Sequence, residues 1–124
     1  MPKAQETVLE INLKALQQNF EHLKSKLLPN TKFLAVVKAF AYGSEACKIG
    51  NFLQDLGVDY FAVAYISEGI ALRKSGVSLP ILVLHPQKVN FKSLIEHELE
   101  PSLYNRKILK EFINLTTKEK IMDF

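Results

Sequence analysis

Apolar positions along this chain alternate between two textures, spaced stripes and short unbroken runs. Leu13, Leu16, Phe20, Leu23 and Leu27 follow steps of three and four, with Lys14, Gln17, Glu21 and Lys24 between them, so the segment predicts a helix with one apolar face. Asn12 stands where a cap is needed, and Pro29 with Asn30 ends the segment. Residues 33–37 (FLAVV) then form an apolar run without polar alternation, the pattern of a strand buried on both faces in a parallel sheet.

The pair repeats. Ala46, Ile49, Leu53 and Leu56 mark a second helix closed by Gly57, and residues 60–65 (YFAVAY) give a second strand. A third helix over residues 67–74 stops at Gly76, and Leu79 and Pro80 lead into a third strand over 81–84, where a proline ahead of the strand removes no ladder donor. The signal then weakens to a short helix near 91–97, a strand around 101–104 and a helix from about 106 to 115. Strand starts recur every ~20 to 27 residues, the spacing of successive βα units in an α/β fold with parallel strands and outer helices. Four such units make either the first half of a (β/α)₈ barrel, which takes about 250 residues, or a small open three-layer sandwich. The last nine residues, TTKEKIMDF, do not look like a designed end to a fold, so the expectation is a single unit, residues 1–124, that either stops partway through a barrel or is a sandwich complete in itself.

Composition narrows the class. With 124 residues, 48% of them apolar, the chain can fill one core but not two. The net charge of +3 is spread from Lys3 to Lys120 without a dense block, which argues against nucleic acid as a partner. No apolar run approaches the ~18 residues that a membrane span needs, and the first ten residues lack the apolar core of a secretory signal. A single cysteine, Cys47, excludes an internal disulfide, so the expected location is cytoplasmic.

Lys38 carries the most chemical information, because it follows the FLAVV run directly and so stands at the carboxyl end of a buried parallel strand, where α/β folds gather their sites. Apolar surroundings disfavour an ammonium and free an amine to attack a carbonyl carbon; the plain alternative is a lysine whose stem lies on the core while its head reaches solvent. Tyr42 follows four residues later and Gly43 immediately after it, ahead of a predicted helix. Gly43 can adopt backbone conformations closed to other residues, free amides at a helix start can seat a phosphate, and the Tyr42 hydroxyl adds a donor. An amine and a phosphate grip in one segment are what pyridoxal phosphate requires.

The segment VVKAFAYG resembles the cofactor-lysine motif of alanine racemases, V-K-A-[ND]-A-Y-G, and the likeness continues through GVDYFAVAYISEGIALRKSG and LPILVLHP, over about residues 7–105. The resemblance implies the amino-terminal part of a (β/α)₈ barrel and an isomerase that interconverts L-alanine and D-alanine for cell-wall peptidoglycan with pyridoxal 5'-phosphate. It implies that Lys38 holds the cofactor covalently and serves as one of two acid/base groups, that Tyr42 bonds the cofactor phosphate, and that Leu84 lines the cofactor pocket. It also implies a homodimer whose second acid/base, a tyrosine, comes from a β-rich domain of the other subunit. Phe40 stands where the family has Asn or Asp, and Ser44 and Glu45 replace its usual His-Gly. Since none of Tyr42, Tyr60, Tyr65 and Tyr104 matches the second tyrosine, these 124 residues alone are expected to be inactive. Two alternatives stand beside this reading: a single-domain pyridoxal-phosphate carrier, and a non-catalytic α/β interaction module.

Other residues read as structural. His22, His85 and His97 lack metal-ligand spacing, so no metal is expected, although His85 falls at the same sheet end as Lys38. Cys47 reads as a small helix residue, Glu96, Glu98 and Glu100 as a solvated face, and Glu68 and Arg73 as groups that cap, pair or face solvent.

Overall fold

The Asn12 side chain accepts a hydrogen bond from the Ala15 amide at 3.0 Å and starts α1 (Leu13–Ser25). The helix is shorter than its stripe: Leu27 lies beyond its end, and of the five stripe residues Phe20 alone is fully buried, its ring 5.0 Å from that of Phe33. The structure, a computed structural model, describes residues 7–43 and 45–118; the expectations that fall on Ser44, on the first six residues and on the last six lie outside this range.

Four strands follow, β1 (Leu34–Val36), β2 (Tyr60–Val63), β3 (Ile81–Val83) and β4 (Glu100–Pro101), paired in the order β1-β2-β3-β4 with every pairing parallel. Between and after them come α2 (Lys38–Gly43), α3 (Ala46–Leu56), α4 (Ile66–Ser75), a 3₁₀ turn at Lys88–Asn90, α5 (Phe91–Glu96) and α6 (Arg106–Lys118). The C-terminal glycines act as read: Gly57 at φ +99° and Gly76 at φ +111° take the left-handed conformation that ends α3 and α4. The strands are shorter than their apolar runs, and the fourth covers 100–101 rather than 101–104.

The register Ala35–Phe61–Ile81 and Val63–Val83 defines one face of the sheet. Phe61, Ile81, Val63 and Val83 are fully buried there in one cluster with Ile49 and Leu53 of α3, Leu72 of α4, and Phe91 and Leu94 of α5. The other face carries Leu34, Val36 and Leu82; Leu34 is 43% exposed and Val36 41%. The FLAVV run is therefore not a strand buried on both faces. One face packs on helices and the other is open, which is the geometry of a partial barrel and not of a three-layer sandwich.

Arg73 pins the outer layer. Its Nε donates to the His97 carbonyl at 2.9 Å, Nη1 to those of Val77 and Leu79 at 3.0 and 2.6 Å, and Nη2 to that of Glu98 at 3.0 Å. Burial lowers the guanidinium pKa below its usual value, and the charge of Glu98 acts in the opposite sense. One side chain thus ties the end of α4 to the loop before β3 and the loop before β4.

Two stability outcomes follow, both read from urea unfolding. Arg73→Lys, which replaces a planar fork by a compact ammonium, lowers stability by about 1–3 kcal/mol. Phe61→Ala on the helix-packed face costs about 3–5 kcal/mol, whereas Val36→Ala on the open face costs about 1 kcal/mol or less.

Candidate active site

Parallel pairing brings every strand's carboxyl end to the same edge of the sheet. The register Val36–Ala62–Leu82, carried two residues on, aligns Lys38, Ala64 and Leu84. The backbone supports this extension: the Val37 amide donates to Ala62 at 2.9 Å, Leu84 to Val63 at 2.9 Å and His85 to Ala64 at 2.8 Å. Lys38 and Leu84 come directly after the buried Val37 and Val83 at this edge. Both are half-buried, and they stand two strands apart, roughly 10 Å at the usual ~4.8 Å spacing.

The chain leaves β1 in an uncommon conformation. Ala39, Phe40, Ala41 and Tyr42 all have positive φ, from +52° to +58°, with ψ between 36° and 53°, so α2 is a turn of left-handed helix. For residues with a β-carbon this costs about 1–2 kcal/mol each, and it normally occurs singly. The sequence marks only Gly43, here at φ +91°, as a residue suited to positive φ; nothing local marks the four before it. The turn is tied to its surroundings by Ala41 N–H to the Val37 carbonyl at 3.1 Å and Ala39 N–H to Glu68 Oε2 at 2.5 Å. Glu68 Oε1 also accepts from the amides of Ala64 and Tyr65, each at 2.9 Å. Glu68 does cap, as its helical position suggests, and it also reaches across to the Lys38 turn. Its nearest sequence signal is an acidic residue in the first turn of a helix that follows a strand end.

The turn carries Tyr42 to the flank of β1, where it is 69% exposed and borders a cavity of about 280 Å³ with Val36, Val37, Ile49 and Leu53. The start of α3 departs from the expected phosphate seat: Glu45, at φ +71°, places its own carboxylate on the Lys48 amide at 3.3 Å. An acidic cap there opposes a second anion, whereas the space beside Gly43 is open, an added Cβ meeting nothing within 4 Å.

The remaining candidates resolve simply. His85 is exposed, its ring 6.1 Å from that of Tyr65 and 6.4 Å from that of Tyr104. His97 Nδ1 lies 2.8 Å from the Ser93 carbonyl, and among the described residues no three His, Cys, Asp or Glu side chains gather as a metal site. Cys47 is half-buried with Sγ 3.6 Å from the Ala71 carbonyl, and Glu96, Glu98 and Glu100 are exposed. No described helix is long and apolar enough to cross a membrane.

A partial parallel barrel with an amine at the carboxyl end of its first strand is a portion of a (β/α)-barrel enzyme fold, with its reactive groups on the side such enzymes use. The family model "Alanine racemase, N-terminal domain" matches residues 11–122, and the chain belongs to that family. It is 34% identical over 114 residues to Alanine racemase 1 of Caldanaerobacter subterraneus subsp. tengcongensis, covering 91% of this chain and 29% of that protein. It is 42% identical over 97 residues to the serine/alanine racemase of Enterococcus gallinarum, covering 77% of this chain and 14% of that one. Its fold superposes on the alanine racemase of Clostridium difficile 630 with a TM-score of 0.84 at 32% identity, covering 89% of this chain and 30% of that one. The chain thus spans less than a third of the length of each of these relatives.

The left-handed turn makes an inverted prediction about glycine. Ala39→Gly relieves positive-φ strain and leaves stability unchanged or raised by up to about 1 kcal/mol. Ala71→Gly, within the right-handed α4, lowers it by about 1 kcal/mol, and chemical denaturation of the two variants side by side checks the opposite signs.

Proposed function

We propose that this chain carries the lysine-bearing part of a pyridoxal-phosphate-dependent alanine racemase that interconverts L- and D-alanine in the cytoplasm, as a homodimer, for peptidoglycan synthesis. The observation that carries the reading is the place of Lys38: half-buried at the end of β1, level with Ala64 and Leu84, and followed by the turn that presents Tyr42. The residues suit the group: an amine for an aldehyde carbon, a phenol and an open glycine backbone for a phosphate, and an apolar Leu84 for a ring. When bound, pyridoxal phosphate supplies the electron sink for the charge left on an amino acid's Cα after proton loss.

In this reading Lys38 Nζ would hold the cofactor covalently and would move a proton at the substrate Cα on its own face. The Tyr42 hydroxyl would donate to the phosphate, and the apolar Leu84 would shield the ring from water. Inversion needs a second acid on the opposite face of Cα, because a single base returns the proton to the side it came from. Lys38 serves one face only, so residues 1–124 expressed alone turn alanine over no faster than the Lys38→Ala variant does.

Adding pyridoxal phosphate to the purified chain, reducing with borohydride and mapping by mass spectrometry should place one dominant adduct at Lys38, lost in Lys38→Ala. Tyr42→Phe should weaken pyridoxal phosphate about tenfold, the equivalent of ~1.4 kcal/mol for one charge-assisted hydrogen bond, and leave pyridoxal unaffected. Adducts scattered over surface lysines and unchanged by Lys38→Ala would replace this reading with that of a non-catalytic interaction module.

A further inference from the structure

We propose that Glu68 is a positioning residue for Lys38: by holding the backbone of the residue after it, Glu68 sets the direction in which the amine leaves the sheet. The inference rests on the reading of Lys38 given above and adds a residue to that site. β1 and β2 end at Val36 and Val63, so the amides of Ala39, Ala64 and Tyr65 lie beyond the ladder. One carboxylate accepts from all three, Oε1 from Ala64 and Tyr65 and Oε2 from Ala39. Ala64 follows β2 directly and Ala39 follows Lys38, so Glu68 joins the exits of the two neighbouring strands beside the lysine.

The carboxylate is itself firmly placed. Glu68 stands in the first turn of α4 between the buried Ile66 and Gly69, and Gly69 packs so closely on Leu99 that an added Cβ would lie 2.9 Å from Leu99 Cδ1. A helix seated this tightly gives its side chain a fixed origin. The turn it holds cannot rest on local preference, because four successive residues with β-carbons have positive φ. The Ala39 N–H belongs to the peptide plane that follows Lys38, so releasing it frees ψ at Lys38, and with the chain beyond anchored in α3 the half-buried Lys38 would shift with that plane. Glu68 touches no reacting atom in this proposal; it acts through the backbone.

Glu68→Gln is the discriminating variant, because a neutral amide keeps the size of the side chain but has one acceptor oxygen and one donor group. With its oxygen on Ala64 and Tyr65, its NH₂ faces the Ala39 N–H, donor against donor. Asn12→Ala, which removes a cap on the distant α1, supplies a stability control that leaves Lys38 alone.

In backbone-amide NMR of the wild-type chain, the Ala39, Ala64 and Tyr65 signals should move together on acidification with one shared midpoint, and this shared movement should vanish in Glu68→Gln. The rate at which pyridoxal phosphate forms a borohydride-trappable adduct at Lys38 should fall about 10- to 100-fold in Glu68→Gln, the scale of a misplacement near 1 Å. Asn12→Ala should leave that rate unchanged at an equal or greater loss of thermal stability. An Ala39 amide that ignores the carboxylate's titration, or an unchanged adduct rate in Glu68→Gln, would overturn the proposal and leave Glu68 an ordinary helix cap. If wild type forms no adduct at Lys38, the cofactor reading fails separately, and the amide titration alone decides the role of Glu68.

Discussion

The site depends on how the chain leaves its first strand. A parallel strand ending in a half-buried lysine must turn at once toward the outer helix layer. Here it does so through four left-handed residues, Ala39 to Tyr42, at about 1–2 kcal/mol of intrinsic cost for each. Such a turn persists only where the surroundings over-determine it. The surroundings here are the sheet, through Val37 bonded to Ala62, and α4, through the carboxylate of Glu68. Backbone strain of this kind clusters at functional sites.

The rest of the molecule supplies rigidity to that turn. The helix-packed face of the sheet holds Phe61, Ile81, Val63 and Val83 without solvent contact, and α4 lies close enough that Gly69 is the small residue its packing on Leu99 requires. Arg73, at the other end of the same helix, holds four loop carbonyls. The helix that carries Glu68 is thus fixed at both ends, at its start by strand-end amides and at its finish by a guanidinium fork. The open face, with Leu34, Val36 and Leu82, contributes little to this frame.

Local signals were legible where their physics is local. The Asn12 cap, the terminating glycines Gly57 and Gly76, and the periodic face of α3 all depend on atoms within four residues along the chain, and each stands where the pattern puts it. Lys38 and Leu84 were legible as strand-end residues because apolar runs mark parallel strands, and their shared level follows once the pairing is parallel. The FLAVV run misled on one point. An unbroken apolar run records that both faces are apolar, but it does not record that only one of them is covered by this chain's helices.

What the sequence by itself determined is the order of the elements, the parallel α/β class, the family likeness carried by VVKAFAYG, and the place of Lys38 directly after the first strand. What only the tertiary structure decided is how that amine is held. The partner of the Ala39 amide is a carboxylate 29 residues away, and the positive φ of four alanine, phenylalanine and tyrosine residues has no local signature. The acidic cap of α3 by Glu45 was equally silent, since a glutamate ahead of a helix reads the same whether it faces solvent or takes the amide that a phosphate would have used. Propensity and periodicity report short-range preferences summed along the chain. A strained turn held from another element exists only because the folded frame overrides those preferences, and so it appears only when the frame is seen whole.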